Sequence, residues 1–401
     1  MKNISRSEEM IDSYRKDMVY TLSTMISIKS VSPVSGGTGE SKRADFLEKT
    51  LKEWGFKTKR YDYDDGSGFL RSNIVVKSGV SDRTLWLIPH IDTVSEGDMS
   101  LWGTDPFTAV VKNGKVYGRG SCDNGQAVVS SMYALKLAKD LRLKSKYNFG
   151  LALVADEEVG SVYGIRKLIE EGVFKKNDLF LVPDFGSPKG NQIEVAEKGM
   201  LWLKITVHGK QVHASTPELG ENAFRKAIIL LNEIDKHLHE KYSMKDEMFD
   251  PNVSTFEMTK HEKNTDSINI APGTDVSYMD CRILPGYDLD KIAHEIRKIA
   301  EASESKNTKI DIETILHNKP TRTPIDSELV LLLSKVITET MGSAPIKVGI
   351  GGGTCASFLR QNGMDAVAWS TVDDVAHQPN EYAIIDNMVA DTKILYKLFE
   401  D

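Results

Sequence analysis

Residues 84–88, Thr84-Leu85-Trp86-Leu87-Ile88, are apolar on both faces of a would-be strand, and residues 149–154 repeat the pattern. A strand with no polar side must be covered twice, as in the interior of a parallel sheet. Residues 179–182 and 366–369 are further strand-like runs, and 73–76 is another β-rich stretch. Between them lie segments of helical spacing. Met10, Ile11, Tyr14, Met18, Leu22 and Met25 recur at three and four; Phe46, Leu47, Leu51 and Trp54 precede a stop at Gly55; residues 126–141 and 162–171 also read as helices. Alternating strands and helices predict an α/β fold, a sheet flanked by helices.

The pattern changes at the turn-rich residues 187–191. Strand-like runs at 201–207, 253–258 and 276–283 then combine with helices at 223–239 and 289–301. Alternation resumes after residues 316–320. We therefore expect a discontinuous first domain, 1–192 and 316–401, around an inserted α+β unit at 193–315, and 401 residues suit two such bodies.

Lys and Arg number 51 against 58 Asp and Glu, a net charge of −7 that disfavours nucleic acid and anionic membranes as partners. Three cysteines, Cys122, Cys281 and Cys355, give no disulfide framework and point to a reducing compartment. Met1 to Arg6 runs straight into charges without a signal-like apolar stretch, and no run approaches the roughly 18 apolar residues of a membrane span, so the expected location is cytoplasmic.

Metal-ligand residue types gather after the strand-like runs. His90 and Asp92 follow Ile88, and positions i and i+2 of extended chain point the same way. A carboxylate beside a ligating imidazole is the usual supporting arrangement, although the pair alone serves equally as a loop cap. Asp123 lies between a glycine-rich stretch and a helix, where an N-cap role competes. Asp156, Glu157 and Glu158 leave a buried strand together; solvent or a divalent cation would relieve their repulsion. A cation lowers the pKa of bound water, and a spare carboxylate takes the proton. Asp184 follows another buried strand, and His377 lies in a polar loop, where a lone His is more often structural. Together these residues occupy strand carboxyl ends, where open α/β sheets bind ligands. Nitrogen and oxygen donors without thiolates suit Zn²⁺, with Mn²⁺ or Co²⁺ as substitutes.

The segments Pro89-His90-Ile91-Asp92-Thr93-Val94, Gly118-Arg119-Gly120…Asp123, Asp156-Glu157-Glu158-Val159-Gly160, Val207-His208-Gly209…His213-Ala214-Ser215…Pro217 and His377-Gln378-Pro379-Asn380-Glu381 resemble, in order, those of the dinuclear zinc exopeptidase and deacylase family. That family includes succinyl-diaminopimelate desuccinylase, acetylornithine deacetylase, aminoacylase and glutamate carboxypeptidase. The resemblance implies a zinc-peptidase-like mixed sheet with an inserted lid and dimerisation domain, two divalent ions, a homodimer, and amide hydrolysis of an N-acyl amino acid or small peptide. It implies that Asp123 bridges the two ions, that His90 and Asp184 complete one site, and that Glu158 and His377 complete the other. Glu157 would be the general base, and Asp92 would orient His90. His213 would polarise the scissile carbonyl in a neighbouring subunit's site. Asn269, Arg282, Gly353 and Thr354 would bind the substrate's polar groups. It also implies a cis peptide after Asp123. One departure stands out: many members carry a Lys two residues after the bridging Asp, followed by glycine, whereas Asp123-Asn124-Gly125-Gln126 lacks the Lys, as though one residue were deleted.

Competing readings are weaker. Gly349-Ile350-Gly351-Gly352-Gly353 lacks the Gly-Lys-Ser/Thr ending of a nucleotide loop. Cys122 or Cys355 as a nucleophile would leave the other ligand-type residues without a role. A non-catalytic homologue that binds metal or amino acids would be expected to have lost the base or a ligand, and all are present. Within the hydrolase reading, a deacylase is the first expectation and a carboxypeptidase or dipeptidase the alternative.

Overall fold

The computed structural model describes residues 6–400, so the reading of residues 1–5 lies outside the described residues. The chain divides into two compact units. The first holds residues up to 195 together with 323–348 and 354 onward; the second holds 196–322 and 349–353. The changes of unit, expected at 192 and 315, come after Val195 and Arg322, with one further excursion at the glycine-rich residues 349–353.

In the first unit the strands run in the order Thr58–Asp64, Leu70–Ser78, Asn148–Leu153, Thr84–Leu87, Leu179–Ser187, Ala366–Thr371, Gln192–Glu197. The four central strands, from Asn148–Leu153 to Ala366–Thr371, are mutually parallel; the flanking pairings are antiparallel. The two-sided apolarity of these strands is explained by what covers them. Trp86, Ile88, Ala152, Val154, Phe180 and Val182 pack with Ile165 and Leu168 of helix Ile165–Glu170 and with Ala356 and Leu359 of helix Cys355–Gln361. Leu85, Leu87, Leu151, Leu153 and Leu181 alternate with them and are also buried. Helices Ala127–Asp140 and Ile385–Lys397 touch the sheet and pack with helix Arg6–Ser27. Each such side chain contributes about 1.5–3 kcal/mol on burial, which makes a polar strand in this position untenable. Because the central strands are parallel, their carboxyl ends open at the same edge.

Two features escaped the hydrophobic pattern. Thr58–Asp64 is largely polar, yet it pairs along its length with Leu70–Ser78 at the sheet margin. A small antiparallel sheet joins Val110–Lys112, Lys115–Tyr117 and Tyr382–Ile384. Its hairpin turns through Asn113 and Gly114, both at positive φ, the Asn-Gly pair that a tight hairpin needs. The pairing of Tyr382 with Tyr117 delivers the loop carrying His377 beside the loop carrying Asp123.

The second unit is an antiparallel sheet in the order Thr255–His261, Thr274–Ile283, Gly199–His208, Lys309–Asn318. Its strands alternate buried and more exposed positions. Leu201, Leu203, Ile205, Val207, Met279, Cys281 and Ile283 face helices Ala223–Lys241 and Leu289–Ser303 through Leu230, Ile234, Leu238, Ile292 and Ile296. Among the described residues no helix is long and apolar enough to cross a membrane.

Candidate functional site

The site starts where the parallel strands end. Beyond Leu87 and Leu153 the chain continues to pair: Ile91 donates to the Val154 carbonyl at 2.8 Å and Val154 to that of Pro89 at 3.1 Å. This pairing fixes His90 beside the loop of Asp156, Glu157 and Glu158. Asp156 takes left-handed backbone, φ 66°, and caps the turn by accepting from the Tyr163 amide at 2.9 Å. Arg71 holds Asp156 from the other side, at 2.9 Å, and is itself bound to buried Glu40 at 2.8 Å. Asp184 reaches the same place from the sixth residue of its strand, the first past its buried part, and His377 from the loop after Thr371.

Five of the expected residues converge through two imidazoles. His90 Nε2 lies 2.9 Å from Asp123 Oδ1 and 3.3 Å from Asp184 Oδ1. His377 Nε2 lies 3.0 Å from Asp123 Oδ2 and 3.1 Å from Glu158 Oε2. Asp123 thus stands between the two histidines, one carboxylate oxygen on each. The groups His90, Asp123, Glu158 and His90, Glu157, Asp184 each bring their ligand atoms within 4.8 Å of one another. Asp123 does not act as a helix cap: its φ and ψ, −108° and 97°, break the helical course, and the Asp123–Asn124 peptide is cis. The Asn124 side-chain amide donates to Asp184 Oδ1 and, at 3.0 Å, to the Pro183 carbonyl. Asp92 lies under the site, wholly buried, with Oδ1 at 3.4 Å from His90 Nδ1.

The electrostatics are those of a carboxylate cluster short of positive charge. Burial, then the Asp184 carboxylate, pushes Glu157 well above the ordinary range of a glutamate. Burial, then Asp123, raises Glu158 to about 7, and burial raises Asp184. Asp123 is pushed up by burial, but its hydrogen bonds to His377 and His90 prevail and hold it low. The Asp123 and Glu158 hydrogen bonds lift His377 to about 10. These residues fit divalent ions on chemical grounds. Each imidazole nitrogen faces two carboxylate oxygens although it can bring at most one proton to them. Donors sharing a tetrahedral zinc at 2.0–2.2 Å would lie about 3.3 Å apart, close to the separations here.

The remaining expected residues have other partners. His213 and Asn269 come together in the second unit: His213 pairs with Ile270, and the Ala214 amide donates to the Asn269 carbonyl at 2.8 Å. The His213 ring is exposed and its Nδ1 lies 2.7 Å from Ser215 Oγ. Arg282 is already engaged, donating to both carboxylate oxygens of Asp280 at 2.7 and 2.9 Å and to the Gly351 carbonyl at 2.8 Å. A Cβ on Gly353 would lie 2.9 Å from the Met200 Cε, the flexible end of that side chain, and in ordinary contact with Asn318. Thr354 caps the helix after it, accepting from the Ala356 amide at 3.1 Å.

A cavity of about 350 Å³ adjoins Asp123 and Asp184; its walls include Phe185, Pro188, Asp373 and Asp374, and among the described residues no Lys or Arg lines it. Sequence reasoning gave no role to Glu381 or Arg119, although both stand in the quoted segments. Their signal, a buried charge pair 262 residues apart, exists only in the folded chain.

The family model for peptidase family M20/M25/M40 matches residues 86–401. An uncharacterized metallohydrolase of Methanocaldococcus jannaschii is 39% identical, covering 94% of this chain and 97% of its own. A succinyl-diaminopimelate desuccinylase of Rickettsia rickettsii is 25% identical, covering 92% and 95%. Among solved structures, an M20 family metallo-carboxypeptidase from Sulfolobus solfataricus superposes with a TM-score of 0.76 at 20% identity, covering 96% of this chain and 98% of that one.

Proposed function

This chain belongs to peptidase family M20/M25/M40 and is a metallohydrolase, and from that premise we propose that it cleaves the amide bond of N-acyl amino acids. The observation that carries the reading is the convergence of His90, Asp123, Glu158, Asp184 and His377 around one carboxylate bridge, with Glu157 beside them. In this proposal His90, Asp123 and Asp184 hold one divalent ion, and Asp123, Glu158 and His377 hold a second, with Zn²⁺ the first choice and Co²⁺ or Mn²⁺ able to stand in. When bound, such ions supply Lewis-acid polarisation of the carbonyl and a lowered pKa for water.

The side chains do the rest. Glu157, half-buried beside His90 and Asp184, would take a proton from water as its carboxylate and return it to the departing amine. Asp92 keeps His90 oriented and holds the backbone of both glutamates in place, accepting from the amides of Glu157 and Glu158 at 3.0 and 3.1 Å.

A second reading, a peptidase acting on short peptides, is favoured by the cavity beside Asp184. Its carboxylate-lined wall suits the free ammonium of a peptide better than an anionic acyl group such as succinyl. The test is a rate comparison with Zn²⁺, Co²⁺ or Mn²⁺ added, using N-succinyl, N-acetyl and dipeptide substrates. Hydrolysis of the acylated set supports the first reading and of free dipeptides alone the second. No cleavage of any, in protein that binds the ions, overturns both.

A further inference from the structure

The loop that presents Asp123 has few means of its own to stay put. It runs through Gly118 and Gly120, at φ 150° and 75°, and is interrupted by the non-helical Asp123 and Asn124. What it has instead is one side chain from the far end of the unit. The Glu381 carboxylate is wholly buried and all its acceptor capacity is used. Oε1 accepts from the backbone amides of Cys122, at 2.8 Å, and Asp123, at 2.9 Å. Oε2 accepts from the Gly120 amide at 2.9 Å and from Arg119 Nη1 at 2.7 Å. The Glu381 carbonyl receives the Gly118 amide at 2.9 Å.

Arg119 extends this connection in the other direction. Its Nη2 lies 3.4 Å from the carbonyl of His377, and its guanidinium sits 5.2 Å from the Trp102 ring. His377 itself is held in left-handed backbone, φ 62°, four residues before Glu381. One buried ion pair therefore grips the backbones of two expected metal ligands that are remote in sequence, Asp123 and His377. A carboxylate can accept four donors at once; a neutral amide of the same shape cannot, because its nitrogen would face N–H groups.

We propose that Glu381 and Arg119 are positioning residues that set the separation of Asp123 and His377, and hence the ability of the centre to hold two cations. The proposal rests on the two-ion reading above and adds to it which residues tune the centre. Support of this kind typically changes metal affinity or turnover by about 10–100-fold.

The experiment titrates metal-free protein with Co²⁺, following its visible absorption and the bound stoichiometry, for wild type, Glu381→Gln, Glu381→Asp and Arg119→Lys. Turnover is measured in parallel at saturating metal. The expected result is that Glu381→Gln, which leaves buried Arg119 unpaired, folds with a lowered melting temperature and in addition binds at least one ion about 10–100-fold more weakly and loses kcat with little change in KM. Glu381→Asp, which keeps the charge, recovers part of the loss, and Arg119→Lys falls between. A merely structural staple would lower the melting temperature and leave affinity and spectrum alone. Should Glu381→Gln fail to fold, Arg119→Lys decides, since it spares the backbone hydrogen bonds. Wild-type affinity, spectrum and kcat in Arg119→Lys and in every folded Glu381 variant overturn the proposal while leaving the two-ion reading intact. Failure of the wild-type protein to take up Co²⁺ overturns both.

Discussion

The backbone amide of Glu157 donates to Asp92 Oδ1 at 3.0 Å. The same carboxylate takes the Glu158 amide on its other oxygen at 3.1 Å and faces His90 Nδ1 at 3.4 Å. Asp92 therefore joins an imidazole to the two glutamates across the site. Asp92→Asn keeps the shape and loses one acceptor, so kcat should fall about 10–100-fold with the fold retained. Steady-state kinetics with metal analysis check this, and an unchanged kcat would remove Asp92 from the machinery.

Replacing Glu157 by Gln removes the proposed proton acceptor and keeps the volume. Turnover should drop about 10²–10⁴-fold. Metal content should stay at the wild-type value. Loss of metal along with activity would show Glu157 to be a ligand, a use its place beside His90 and Asp184 also permits.

Removal of metal by a chelator should abolish hydrolysis, and added Zn²⁺ or Co²⁺ should restore it. Uptake must displace protons, since the Asp123 and Glu158 hydrogen bonds hold His377 at about 10 and burial holds Glu158 at about 7. Protons and cations compete for the same atoms, so apparent affinity should weaken as pH falls below about 10, and more steeply below about 7. Calorimetry at pH 6.5 in two buffers of different ionisation enthalpy should report proton release. Identical heats in both would refute the assignment.

Asp391 supplies a prediction away from the centre. Its Oδ2 accepts from the Thr371 amide at 3.0 Å and from Gln126 Nε2 at 3.2 Å, while Oδ1 is buried without a partner. Burial raises this carboxyl to about 7. A folded value above the unfolded one, about 3.9, means that the folded state binds more protons between them, so stability falls as pH rises from about 4 to 7 and then levels. Asp391→Asn should flatten that slope, gaining up to about 4 kcal/mol at pH 8. Urea denaturation across this range is the measurement, and an unchanged slope would refute it.

The apolar runs at Leu85–Leu87 and Leu151–Leu153 pointed to a sheet covered on both sides, since strands apolar on both faces must be buried on both; its parallel centre is observed. The polar strand Thr58–Asp64 was not legible, since a marginal strand held by pairing carries no hydrophobic signal of its own. The types of residue at the centre were equally plain in the chain: His90, Asp123, Glu157, Glu158, Asp184 and His377 are few, chemically apt and placed after strands. Their partners were another matter. That Asp123 lies between two imidazoles, that Asn124 holds Asp184, and that Glu381 grips the Asp123 loop all depend on pairing Tyr382 with Tyr117 and on parallel strands ending together. Local sequence dictates periodicity and chemical type, whereas which buried donor meets which acceptor is decided only when distant segments close against one another and every desolvated polar group must find its complement.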